Sequence, residues 1–233
     1  MGVKKQLFSI LMHKRDKTSK NLNELIKSRF IEMFIDRGYP YVKMLDVSIG
    51  KAEYGAGSAS IEYDPKRPRY VRITDINDDG TLNDDCVSSI NVEDDEQYKL
   101  EYGDFMFARM GATVGKTYAF YDGYQIFAGY LIRFKLNLGK INPKYLFWYT
   151  KIEEYIKWIK ENQSGAAQPG INSKKYAELR IPCPPIELQN EFALFVQQID
   201  KSKFIGYSRY FLCEFFTLFS STIAYSSVVS ILA

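Results

Sequence analysis

Four stretches hold the residues whose type and spacing could do chemistry. Gly111-Ala-Thr-Val-Gly115-Lys116-Thr117 has the ingredients of a phosphate-binding loop, in which glycine N–H groups and a lysine cradle phosphates. That loop needs four residues between its first glycine and Gly-Lys-Thr, and this one has three. It must also lead into a helix, whereas Thr117-Tyr-Ala-Phe-Tyr121 is strand-like. Nucleotide hydrolysis is therefore set aside. A turn between strands that offers N–H groups and an ammonium to a nucleic-acid phosphate remains. Asp64-Pro65-Lys66 has the Asp-x-Lys spacing of some metal-dependent nucleases. Pro65 would interrupt the ladder of a central strand, so a stiffened surface turn is the expectation. His13 is the sole histidine and no Cys/His pair has zinc spacing, so neither a catalytic triad nor a metal site is expected.

What is left is an inventory suited to reading a surface. Ser58, Ser60, Tyr63, Lys66, Arg67, Arg69 and Arg72 gather around one turn. Arg109, Thr113 and Lys116 gather around a second, and Gln168, Asn172, Lys174 and Lys175 around a third. Arginine, glutamine, asparagine and serine can pair with base edges, and lysine with phosphates. Arg72, Arg109, Gln168 and Asn172 are the candidates near bases; Lys66, Lys116, Lys174 and Lys175 are those near phosphates. Gln168 and Asn172 have a second reading, in which their amides tie a loop to a neighbouring strand.

The elements that must position these residues follow from periodicity. Leu22, Leu25, Ile26, Phe30 and Met33 form a helical stripe over residues 22–34, stopped by Gly38 and Pro40. Between about 41 and 138, runs rich in Val, Ile, Tyr, Phe and Thr alternate with turn residues; the strands expected are 41–47, 70–74, 105–109, 117–121 and 129–136. Asn142-Pro143 opens a helix expected to reach about residue 160, and a polar, glycine-rich loop follows. Ile181-Pro-Cys-Pro-Pro185 is extended. Phe192, Phe195, Val196 and Ile199 stripe a last helix over 186–203, expected to pack on the 22–34 helix of the same or another chain.

Composition bounds the class. The chain has 233 residues, 46% hydrophobic and 25% charged, enough for one sizeable core and an appendage. Three cysteines, Cys86, Cys183 and Cys213, fit a reducing cytoplasmic compartment better than a disulfide framework. The net charge of +3 hides asymmetry: +5 over residues 1–35, −10 over 75–104 and +4 over 139–180. If the protein binds DNA, residues 78–96 should face away from it. From Phe215 to Ala233 there are 19 uncharged residues, near the length of a bilayer span. Their many hydroxyls and the loss of the helix's polar face point instead to a truncated or frame-shifted continuation.

Four segments resemble, in order and spacing, motifs of the target-recognition domain of type I restriction–modification specificity subunits. They are residues 103–117 (Gly-Asp-Phe-Met-Phe-Ala-Arg-Met-Gly-Ala-Thr-Val-Gly-Lys-Thr), Tyr70-Val-Arg-Ile-Thr-Asp-Ile76, residues 164–172 (Ser-Gly-Ala-Ala-Gln-Pro-Gly-Ile-Asn) and Ile181-Pro-Cys-Pro-Pro-Ile-Glu-Leu-Gln189. The resemblance covers about residues 20–203, and residues 22–34 resemble the far end of the family's spacer helix. It implies an α/β (α+β) fold, a globular recognition domain followed by a long helix of an antiparallel pair. It implies a non-catalytic subunit that reads one half of a split double-stranded DNA target. The methyltransferase and restriction subunits it positions would hold S-adenosylmethionine, ATP and Mg, leaving this chain without a cofactor. A full subunit has two recognition domains and this chain has one, so it resembles a half-subunit. The organisation implied is a basic leader (1–20), a spacer-type helix (21–36), a recognition domain (37–185), a docking helix (186–203) and an atypical tail (204–233). Leu22, Leu25, Ile26, Phe30, Met33, Phe192, Phe195, Val196 and Ile199 would meet a partner subunit or a second copy. Motifs shared by readers of different targets should hold the fold, so base choice is expected between them, around residues 51–69 and 119–128. The alternatives are a half-subunit or silent-cassette product that binds partners without reading DNA, and a stand-alone nuclease using Asp64.

Overall fold

A computed structural model of the chain describes residues 2–91, 96–165 and 169–218; within the two terminal helices the side chains of 2–8, 10–12, 15 and 204–218 are left aside. The chain divides into two compact units, residues 1–28 with 194–233, and residues 29–193. The two long helices, α1 (Gly2–Phe30) and α5 (Ile186–Leu218), belong partly to each. The sequence-expected leader is helical from Gly2, and the last helix continues past residue 203. Residues 219–233 of the tail lie outside the described residues. No helix among the described residues is long and apolar enough to cross a membrane.

In the first unit Ile26, Val196 and Ile199 are buried. Lys203 Nζ donates to Asn23 Oδ1 at 2.8 Å, so the two helices pair within a single chain. Leu22 is half-buried, and Leu25 and Leu194 remain exposed at 51% and 60%.

The second unit has an aromatic centre at its helical base. Phe30 lies 5.1 Å from Tyr145 and 5.4 Å from Phe192, ring centre to centre. Phe34, one turn on, lies 4.8 Å from Tyr145 and 5.5 Å from Phe192. Edge-to-face packing suits the ring quadrupoles. The helix widens to a π-turn over Ile31–Ile35 and ends at Gly38, whose φ of +66° suits glycine.

Above this base stands an antiparallel sheet in the order β2 (Ser48–Tyr54), β9 (Leu131–Leu136), β6 (Asp104–Ala108), β7 (Thr117–Ala119). Every residue of β6 is buried, as a strand covered on both faces must be. Two-stranded pairs flank it: β1 (Tyr41–Lys43) with β10 (Arg180–Pro182), β3 (Ser60–Glu62) with β5 (Ser88–Ile90), and β4 (Arg69–Val71) parallel to β8 (Gln125–Phe127). A buried arginine ties the sheet to its neighbours. Arg133 pairs with Glu53 and, at 3.3 Å, with Asp104; it also donates to the carbonyls of Gln97 and Lys99 and lies over the Phe127 ring at 4.8 Å. Burial pushes the Asp104 carboxyl up, against the pull of the Glu101 N–H and of Arg133.

The helix expected over 143–160 is two helices, α2 (Pro143–Tyr149) and α3 (Glu153–Asn162). Thr150 makes the break: its hydroxyl donates to the Phe147 carbonyl at 2.7 Å and meets the Thr117 hydroxyl at 2.8 Å, while Ile152 is extended. A short helix, α4 (Ser173–Ala177), follows the glycine-rich loop and was not expected from the sequence. The run 41–47 is a strand only to Lys43 and then a 3₁₀ turn, Met44–Val47.

Candidate nucleic-acid interface

The resemblance motifs meet at one end of the sheet and lock to each other. Between β6 and β7 the chain makes a 3₁₀ turn, Gly111–Thr113, with Gly111 and Gly115 at φ of +70° and +86°. The glycine-rich loop pairs with this turn: Gly111 N–H donates to the Pro169 carbonyl and Ile171 N–H to the Arg109 carbonyl, both at 2.9 Å. A Cβ on Gly170 would stand 3.2 Å from the Arg109 carbonyl oxygen, so glycine permits the approach. Tyr176 and Tyr155 brace the turn from below, donating to the Ala108 and Gly115 carbonyls at 2.9 Å. The glycines therefore make a strand-to-strand turn, not a nucleotide cradle. The proline motif is equally internal. Gln189, fully buried, donates to the Lys140 and Pro184 carbonyls and accepts from the Asn142 N–H at 2.9–3.0 Å.

Several sequence-nominated cations are engaged inside the chain. Arg72 grips Asp75 through Nε at 3.0 Å and a terminal nitrogen at 2.8 Å, and donates to the Cys86 carbonyl; the Asp75 hydrogen bond raises its own pKa. Arg69 meets Asp84 at 2.6 Å, and Arg67 donates to Asn91 at 2.9 Å. Lys116 meets Asp78 at 2.8 Å, and this hydrogen bond holds the Asp78 carboxyl below its ordinary range. The acidic segment therefore faces the nominated basic residues over residues 75–91, which corrects the expectation that 78–96 lies away from them. Residues 92–95 lie outside the described residues, as does Gln168. Asn172 caps α4, its Oδ1 accepting from Lys175 N–H at 2.9 Å, which is the loop-tying reading of that residue. The Lys175 ammonium donates to the Asn162 carbonyl, and the Thr113 hydroxyl to the Met110 carbonyl.

Exposed and available are Ser58, Ser60, Tyr63 and Lys66, which surround the β3 hairpin arm, and Lys174 on α4. The ammonium groups of Lys66 and Lys174 have no partner among the described residues. Arg109 has a setting of its own. Its guanidinium carbon lies 4.8 Å from the Tyr54 ring centre and 6.0 Å from that of Tyr130. Neither tyrosine stands in a basic cluster, so composition gave no signal for them; the signal available was their place at the end of β2 and the start of β9, beside the exit of β6. Burial would raise the Tyr54 phenol, yet its hydrogen bonds with Ser173 and the Arg109 charge together lower it. Of the residues expected to face a partner, Ile26, Phe30, Phe192, Val196 and Ile199 are buried within this chain, Leu22, Met33 and Phe195 are half-buried, and Leu25 is exposed. Asp64 sits in a turn where it accepts from the Lys66 N–H and lies 3.7 Å from Arg67. Among the described residues no group of three or more His, Cys, Asp or Glu is placed to hold a metal.

A sheet end whose loops are pinned to each other and whose rim offers tyrosines, serines and cations is the surface of a recognition domain. Residues 52–205 match the family model of the type I restriction modification DNA specificity domain, and the chain belongs to that family. It is 30% identical over 122 residues to a protein of Methanocaldococcus jannaschii assigned as the type I restriction enzyme MjaX specificity subunit, covering 49% of this chain and 28% of that one. Its fold is similar to the HsdS subunit from Thermoanaerobacter tengcongensis (TM-score 0.54, 16% identity, 86% of this chain and 48% of that one). It is also similar to the S subunit of the type I restriction–modification system of M. genitalium (TM-score 0.57, 11% identity, 91% and 57%). The chain thus spans about half the length of these structures and less of the curated relative.

Proposed function

We propose that this chain reads one half of a split double-stranded DNA target and supplies no catalytic group or cofactor of its own. Methylation and cleavage would belong to methyltransferase and restriction subunits, which would carry S-adenosylmethionine, ATP and Mg, in the cytoplasm. The observation that carries the reading is the division of labour in the second unit. The resemblance motifs are engaged in holding loops together, while the segments 57–67 and 121–124 between them are exposed and hold serine, tyrosine and lysine. Such side chains read bases and grip phosphates. A partner subunit or second half-subunit would meet outward residues such as Leu25 and Leu194, because the ridge of Phe192, Val196 and Ile199 is already covered.

The test is retention of a random-sequence duplex pool by the chain, alone and with the methyltransferase subunit, followed by sequencing of the retained fraction. A single enriched half-site supports the reading. Retention of the methyltransferase with no enriched sequence would favour the second reading, a half-subunit that binds partners without reading DNA. One observation favours that alternative: Arg69, Arg72 and Lys116 are neutralised by the chain's own Asp84, Asp75 and Asp78.

A further inference from the structure

The arginines of the second unit differ in what answers their charge. Arg29, Arg67, Arg69, Arg72 and Arg133 each lie within ion-pair distance of a carboxylate. Arg180 donates to the Tyr41 carbonyl. Arg109 has no carboxylate partner among the described residues, and its buried Nε has no hydrogen-bond partner. It is half-buried, with only tyrosine rings beside the guanidinium. A partly desolvated cation without a counter-charge is costly, and ring faces offset only part of that cost.

Its position is nonetheless fixed from every side. Arg109 N–H donates to the Tyr130 carbonyl at 3.0 Å and its carbonyl accepts from Ile171. Tyr54 is anchored in turn, its hydroxyl donating to Ser173 Oγ at 3.0 Å and accepting from the Ser173 N–H at 3.2 Å. Tyr54 and Tyr130 are 42% and 52% exposed, so the clamp opens to solvent. A guanidinium held rigid, unneutralised and open on one side fits an anion delivered from outside.

We infer that Tyr54 and Tyr130 are positioning residues that clamp Arg109 as a seat for one backbone phosphate of the bound DNA. The seat grips DNA of any sequence, while neighbouring segments choose the bases. This rests on the DNA-reading function proposed above. A phosphate is favoured over a guanine edge because the missing partner is a negative charge, which a base does not bring.

The experiment uses the full chain and a random-sequence 40-bp duplex pool, about 40 bp being long enough for several phosphate contacts. Retention is measured across a salt series and the retained fraction is sequenced. Arg109→Gln should weaken retention about tenfold or more at low salt. It should lower the slope of log affinity against log salt by about one and leave the enriched sequence unchanged. Tyr130→Ala, at an exposed ring, should weaken retention several-fold in the wild-type background and have no further effect once Arg109 is Gln, as coupled residues do. Thermal melts of each variant separate unfolding from loss of grip, and Arg109→Lys, which keeps the charge but not the fork, should recover part of the slope. Additive effects of the two substitutions would overturn the clamp. An unchanged slope with one enriched position lost would make Arg109 a base reader and overturn the phosphate assignment. A wild-type chain that retains no DNA would remove the DNA reading itself and the seat with it.

Discussion

The turn at Gly111–Thr113 and the hairpin arm at Ser60–Glu62 both stand near the sheet, and both hold residues the sequence marks as nucleic-acid ligands. They are built in opposite ways. The turn is crossed by backbone hydrogen bonds from the glycine-rich loop and braced by two buried tyrosines. The arm is exposed at Ser60, Ile61, Glu62 and Tyr63, and is held chiefly by its pairing with Ser88–Ile90 and by Ser89. The first arrangement fixes geometry at the expense of side-chain freedom. The second leaves side chains free to vary without disturbing a core, which is what a domain needs if one fold is to serve different target sequences.

The largest expected effect breaks the pinned half. Gln189→Ala removes three hydrogen bonds and strands two buried carbonyls and an amide, which should cost about 3 kcal/mol. In a unit of this size that is a fall in Tm of roughly 6–12 °C, read by calorimetry. A loss under about 1 kcal/mol would mean the proline motif is not a fastener. Gly115→Ala comes next. Its φ of +86° is poor for a side chain, and the new Cβ would stand 2.9 Å from Ile159 Cγ1. The expected cost is about 1–3 kcal/mol. A nucleotide loop would lose ligand affinity here; a turn loses stability.

How much of this was legible beforehand depends on range. The 22–34 stripe, the stop at Gly38 and Pro40, the failed phosphate loop and the internal role of Asn172 are local matters of periodicity and spacing, and residues within a few positions decide them. The break at Thr150 was not visible, because its cause is the Thr117 hydroxyl, 33 residues away. The neutralisation of Arg69 by Asp84 and of Lys116 by Asp78 was hidden for the same reason: a charge count along the chain separates acidic from basic windows that the fold sets side by side. Tyr54 and Tyr130 were missed because their role lies in register. They become neighbours of Arg109 only when β2, β9 and β6 align.

Substitutions on the arm sharpen the comparison. Lys66→Ala, at an exposed residue whose ammonium is unpartnered, should leave Tm within about 0.5 kcal/mol of wild type. It should weaken DNA retention of all sequences alike and reduce the salt slope by about one. Tyr63→Ala should leave stability equally untouched and alter which sequences are enriched. If either variant melts early, the arm belongs with the fastened half.

The smallest effect has the opposite sign. Asp78 is 90% exposed and binds Lys116 at 2.8 Å, so in the free protein it competes with any phosphate for that ammonium. Exposed pairs of this kind are weak, and DNA can displace the carboxylate at modest cost. Asp78→Asn should therefore raise DNA affinity a few-fold, about as much as an exposed pair is worth, and more at low salt than at high. The pH dependence follows from the depressed carboxyl. The pair's contribution is full above the ordinary aspartate range and fades only as pH falls through the lowered value, so retention should show no step from this pair between about pH 5 and 8. A weaker grip in Asp78→Asn would mean that the carboxylate orients Lys116 for DNA instead of competing with it, and the acidic segment would then count as part of the reading surface.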